Sequence, residues 1–115
     1  MSKRTDRELL ADIREAAERI ITYCRRTNYA KFLRDAKTQD AVIRNFEVIG
    51  EATKNISKDL KHKYPHVAWR ELAQVRDKLI HHYFGVNLEI VWAIIEESLP
   101  DIISVTNEIL NKEKK

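Results

Sequence analysis

At 115 residues the chain has room for one hydrophobic core, and its 43% apolar and 34% charged residues exclude a disordered polymer. Only two Gly and two Pro are present, too few for an all-β fold with many tight turns. Twenty-one basic against eighteen acidic residues leave a net charge of +3, which permits nucleic-acid binding without requiring it. The longest apolar runs are four or five residues, far short of a membrane span. The opening Met1-Ser-Lys-Arg-Thr-Asp-Arg7 leads into a charged helical pattern, so no secretory signal is expected. A single Cys24 excludes an internal disulfide and fits a reducing cytoplasm.

From Asp6 to about Arg26, apolar residues fall at Leu9, Leu10, Ile13, Ala16, Ala17, Ile20, Ile21 and Cys24, the stripe of an amphipathic helix. Tyr29 to Asp35 predicts a short helical turn around Phe32 and Leu33. Thr38 or Asp40 is a cap candidate for a second long helix with the stripe Val42, Ile43, Phe46, Ile49, Ala52, Thr53, Ile56 and Leu60. Gly50 sits inside that stripe. An interior helical Gly costs about 1 kcal/mol relative to Ala, and a close helix crossing would account for it.

Lys61 to His66 is expected to be a loop, because Pro65 ends the helix. Trp69 opens a third helix with Leu72, Val75, Leu79 and Ile80 on its apolar side, and Gly85 is a stop signal after it. Asn87 is a cap candidate for a fourth, carrying Leu88, Val91, Trp92, Ile94, Ile95 and Leu99, and Pro100 is expected to kink or break it. Ile102, Ile103, Val105, Ile109 and Leu110 continue the pattern to a charged tail. The reading is one all-α domain over residues 1–115, a four- to five-helix up-and-down bundle. Trp69, Trp92 and the Ile-rich fourth helix leave enough apolar surface for a second copy of the chain.

The chemistry concentrates at Arg76-Asp-Lys-Leu-Ile-His81-His82-Tyr83. An Arg can neutralise charge building on a phosphate, and a His can move protons near neutral pH. On an ideal helix Arg76 and His81 lie about 140° apart and do not face each other. Either the Arg stem reaches round, or the helix loosens before Gly85, or the site is shared between two chains. No metal site is expected. Pro65 separates His62 from His66, and neighbouring His81 and His82 point apart on a helix. Ser57, Ser98 and Ser104 have no triad setting.

The spacing Arg76, four residues, His81, one residue, Tyr83 resembles the R-x4-H-x-Y pattern of HEPN-domain toxins of the HepT type. Ile49-Gly50-Glu51-Ala52, Tyr64-Pro65 before Trp69-Arg70, Tyr83-Phe84, and Val91-Trp92 leading to Leu99-Pro100 follow in the family's order. The resemblance spans roughly residues 6 to 110. It implies a HEPN-like helical bundle that dimerises and cleaves RNA without metal or cofactor, with Arg76 and His81 as the catalytic pair. It also implies a nucleotidyltransferase antitoxin as partner, which transfers AMP to Tyr83 and silences the ribonuclease. Asp77 stands where the family commonly has a polar residue, often Asn; there it would orient Arg76 or His81 while adding negative charge near the phosphate. His82 occupies a variable position with a supporting role.

Read without the family, Arg76 is a solvated helix charge, His81 a helix-end residue and Tyr83 a core or interface tyrosine with its hydroxyl at the rim. Glu51 is a candidate partner for a motif cation or an ordinary surface ion. Lys58, Lys61, His62 and Lys63, and the pair Arg25-Arg26, are candidates for guiding RNA, but read first as ordinary solvated faces diluted by nearby acids. Cys24, Trp69 and Trp92 read as packing residues. The alternative to a ribonuclease is a non-catalytic helical module that binds a nucleotide or docks a nucleotidyltransferase.

Overall fold

The structure, a computed structural model, describes residues 4–81 and 85–113. Helix α1 (Asp6–Cys24) starts at a capping box: the Thr5 hydroxyl accepts from Glu8 N at 3.1 Å, and Glu8 Oε1 accepts from Thr5 N at 2.9 Å. That backbone hydrogen bond holds the Glu8 carboxyl below the usual range. After the one-turn α2 (Tyr29–Phe32), α3 (Ala36–Asn55) runs back along α1. The cap of α3 is Asp35 rather than Thr38 or Asp40. Its carboxylate accepts from Thr38 N at 3.1 Å and from the Thr38 hydroxyl at 2.6 Å. Thr38 is thus the residue being capped, three positions in.

The second long helix stops short of Leu60. Ile56 is extended, and Ser57 restarts the chain as the N-cap of α4 (Lys58–Lys63), accepting from Leu60 N at 3.1 Å. The break is fixed from outside: Asp6, at the start of α1, accepts from Ser57 N at 2.8 Å and from its hydroxyl at 2.5 Å. Lys61, His62 and Lys63 are therefore helical, and the loop begins only at Tyr64, the C-cap. Tyr64 donates its hydroxyl to Glu113 Oε2 at 2.6 Å, which pushes its pKa up to about 12. Trp69 Nε1 donates to the Tyr64 carbonyl at 2.9 Å.

The expected third helix is two single turns, α5 (Trp69–Ala73) and α6 (Val75–Leu79), followed by a short antiparallel ladder of β1 (Ile80–His81) and β2 (Gly85–Val86). Gly85 is not the stop of that helix, which ends six residues earlier. It pairs with His81 at φ +77°, a backbone region that suits Gly. Helix α7 (Leu88–Glu97) is capped by Asn87, whose carbonyl accepts from Ile90 N at 3.1 Å. Ser98 then separates it from α8 (Leu99–Lys112), with Pro100 in the first turn where a missing N–H costs nothing.

Helix α1 packs on α3 and α8, and α3 also carries α5 and α6. Leu10, Ile13, Ala17, Ile20, Phe32, Phe46, Ile49, Val91, Leu99 and Ile109 are sealed from solvent. Buried Thr53 and Thr106 donate to carbonyls one turn back, at 2.7 and 2.8 Å. The helical bundle expected from the sequence is the fold that forms. Among the described residues no helix is long and apolar enough to cross a membrane.

Candidate functional site

Gly50 determines where the motif lies. A Cβ there would stand 3.2 Å from the Ala73 carbonyl oxygen and 3.7 Å from Val75 Cγ1. The absent side chain lets α5 and α6 cross α3 at close range, as the lone helical glycine suggested. One turn before Gly50 on α3 stands Glu47, and three residues after Ala73 stands Arg76. The crossing brings the two together: Arg76 Nε donates to Glu47 Oε2 at 2.9 Å.

This is the only side-chain hydrogen bond of Arg76 among the described residues, and the guanidinium is half-exposed. Its Nη groups remain as donors for an anion. A guanidinium fixed through Nε and open at its other edge is preorganised for the paired oxygens of a phosphate. Arg76 and Glu47 line an open groove of about 750 Å³, with Arg44, Val48, Glu51, Ala52 and Asn55 from α3 and Arg4, Leu9 and Asp12 from the start of α1. Arg4 is held by Asp12 through two hydrogen bonds of 2.9 and 2.8 Å. Arg44 is exposed and forms no ion pair among the described residues.

The carboxylate that meets Arg76 is Glu47, one helical turn from Glu51. Glu51 lies in the same groove, exposed, and accepts from Asn55 Nδ2 at 3.3 Å. Sequence inspection had no means of preferring Glu47, because both acids fall on the same face of α3 and only the crossing point at Gly50 selects between them. Asp77 is exposed on α6.

Arg76 and His81 do not share a helix. Helix α6 ends at Leu79, whose carbonyl accepts from Asn87 N at 2.8 Å, and His81 belongs to the ladder, opposite Gly85. Of the three arrangements considered, the backbone shows the loosening named in the second: the helix gives way before Gly85. His82 and Tyr83 lie outside the described residues.

A second open groove, of about 530 Å³, lies on the other side of α6. Val75, Leu72 and Lys78 meet Ile90 and Ile94 of α7 and Ile102 and Val105 of α8 there, so α6 forms a ridge between a charged groove and a largely apolar one. Trp92 packs against Phe32 at 5.2 Å and Tyr29 at 6.1 Å between ring centroids, the packing role expected of it. Cys24 is half-buried, and burial pushes its thiol pKa up.

The family model described as Ribonuclease HepT-like matches residues 13–109. Among curated relatives, "Putative RNase MJ0127" of Methanocaldococcus jannaschii is 48% identical over 96% of this chain and 91% of its own length. "Probable ribonuclease HepT" of Thermococcus cleftensis is 48% identical over 87% of this chain and 91% of its own. "Putative RNase TTE0752" of Caldanaerobacter subterraneus subsp. tengcongensis is 40% identical over 96% and 99%. No solved structure shows a significant match. A match over most of the chain, from a family model and from full-length relatives alike, means that this protein belongs to the HepT-like ribonuclease family.

Proposed function

We propose that the protein is a metal-independent endoribonuclease, the toxin of a toxin-antitoxin pair, with Arg76 and His81 as its catalytic pair. The observation that carries this reading is the Arg76 guanidinium, held at Nε by Glu47, open at its Nη groups, and five residues before a His on the adjoining ladder. His81 takes the proton from a ribose 2′-hydroxyl and returns one to the leaving 5′-oxygen. Arg76 neutralises the charge that builds on the phosphoryl oxygens. Neither role requires a metal. Asp77 and His82 support the pair from neighbouring positions, and Glu51 adds a carboxylate to the groove.

A second copy of the chain brings a second Arg76 and His81 to the same cleft. The apolar groove beside α6 supports this part of the reading, since Ile90 and Ile94 are only partly buried along it and the groove adjoins the motif helix. Silencing occurs at Tyr83. A nucleotidyltransferase antitoxin joins the tyrosine oxygen to the α-phosphorus of ATP, releasing pyrophosphate, and the added nucleotide fills with negative charge a cleft that must receive RNA phosphates. The protein acts in the cytoplasm, where its RNA substrate is.

The test is cleavage of total cellular RNA by purified, unmodified protein with EDTA present, beside the His81→Ala variant. Cleavage by the intact protein and its loss in the variant are expected. An intact protein that cleaves nothing, confirmed unmodified by mass, would transfer the motif to the alternative, a module that docks a nucleotidyltransferase without chemistry of its own.

A further inference from the structure

The groove around Arg76 has no excess of positive charge with which to gather a polyanion: Arg4, Arg44 and Arg76 face Asp12, Glu47 and Glu51. The excess is elsewhere, and it is concentrated. Between Tyr23 and Lys37 the chain carries five cations, Arg25, Arg26, Lys31, Arg34 and Lys37, against one carboxylate, Asp35. The other hundred residues carry sixteen cations and seventeen carboxylates. All five cations are exposed and none forms an ion pair among the described residues. The one carboxylate is engaged in capping α3 through Thr38. The only large apolar side chains classed as exposed in the described chain also lie here: Tyr23 (43% exposed), Tyr29 (36%) and Leu33 (42%).

This segment is the turn end of the α1–α3 hairpin, and it is anchored. Phe32 is fully buried against Trp92, Gln39 Nε2 donates to the Phe32 carbonyl at 2.8 Å, and Asn28 caps α2. The anchor also ties it to the motif. Trp92 stands about 6 Å along α7 from Leu88, just beyond the ladder that contains His81. In the other direction α3 leads from the patch to the site: Glu47 is eleven residues, roughly 16 Å, from Ala36. Lys37 and Arg44 share one face of that path at a seven-residue spacing.

We infer that residues 23–37 form a binding surface for single-stranded RNA, in which Arg25, Arg26, Lys31, Arg34 and Lys37 hold phosphates and Tyr23 and Tyr29 stack on bases, delivering the strand along α3 to Arg76. Unpaired cations interleaved with half-exposed aromatic rings are the recognition chemistry of unpaired nucleotides. An acidic protein surface would use the cations but would leave the tyrosine rings without planar partners. The inference rests on the ribonuclease reading above and adds to it where the substrate is gripped.

The test separates the two. A fluorescein-labelled single-stranded RNA oligonucleotide is titrated with His81→Ala protein across a salt series, so that binding is read without turnover. Replacing Arg25, Arg26 and Arg34 together by Ala is expected to weaken binding at low salt by about tenfold or more and to flatten the logarithmic salt dependence by about 2, some 0.7 for each lost phosphate contact. Tyr23→Ala is expected to weaken binding roughly tenfold with the salt slope unchanged. These side chains are exposed, so unchanged thermal melts should accompany both variants. Unaltered affinity and slope in the triple variant overturn the surface, even if the intact protein cleaves RNA. So does retained RNA binding with loss of binding to the nucleotidyltransferase, which would make the patch a protein dock. Loss of binding in the triple variant supports the surface, even if the intact protein cleaves nothing and the catalytic reading falls.

Discussion

Glu47 Oε2 accepts a hydrogen bond of 2.9 Å from Arg76 Nε across the crossing of α3 and α6. As an exposed ion pair it contributes about 0–1 kcal/mol to stability. On the proposed reading, in which the guanidinium meets a phosphate in one orientation, its consequence is larger, because the pair fixes the side chain before substrate arrives. Glu47→Ala should therefore leave the melting temperature nearly unchanged while lowering the maximal cleavage rate by about tenfold. Arg76→Ala should lower it by about a hundredfold to a thousandfold. Steady-state cleavage of a defined RNA, with melts of both variants, checks the relation. A Glu47→Ala protein as fast as the parent would leave the ion pair without a catalytic role.

Gly50→Val tests the crossing itself. The first added carbon already stands 3.2 Å from the Ala73 carbonyl, and a branched side chain needs more room than α5 can give without moving. The expected cost is about 1–3 kcal/mol, seen as a lower midpoint in urea. Cleavage should fall as well under conditions where the variant is folded, because a displaced α6 draws Arg76 away from Glu47. A midpoint equal to the parent's would show that the close approach does not constrain these helices.

Tyr83 is the residue through which silencing is proposed. Co-expression with the proposed nucleotidyltransferase partner should add the mass of AMP at Tyr83 and abolish cleavage by the purified protein. Tyr83→Phe should acquire no such mass and stay active. Silencing of Tyr83→Phe by the same partner would mean that the partner acts by sequestration.

Asp35 gives a pH dependence with a defined sign. Its hydrogen bonds from Thr38 hold the carboxyl below the ordinary value, so the folded state favours the ionised form. The contribution to stability is present above about pH 4, the unfolded-chain value, and is lost as pH falls through the lowered folded value. Asp35→Asn keeps a competent cap without a titrating group. The difference in melting temperature between parent and variant should shrink as the solution is taken below about pH 4. A constant difference across that range would locate the acid sensitivity elsewhere, with the Glu8 carboxyl of the α1 capping box as the next group to replace.

The stripes of α1, α3, α7 and α8 were legible in the sequence because burial on a helix repeats with the helix, and Leu10, Phe46, Val91 and Ile109 fall where that repeat puts them. Asn87 was legible as a cap and Pro100 as a break, since both act through the backbone beside them. Gly50 was legible as a close approach, though not its partner. Tertiary structure decided where helices stop for lack of local cause. Asp6 reaches 51 residues along the chain to fix the break at Ser57, and the hydrogen bond from Asn87 to the Leu79 carbonyl helps end α6 although apolar Ile80 continues its pattern. It decided that Glu47 and not Glu51 meets Arg76, because the two acids are equivalent by periodicity and differ only in distance from a crossing. It also left Arg25 and Arg26, with Lys31, Arg34 and Lys37, exposed and outside any ion pair among the described residues. Of the acids nearby, Glu15 pairs with Arg19 and Asp35 caps α3, and only the folded chain shows which charges stand outside ion pairs.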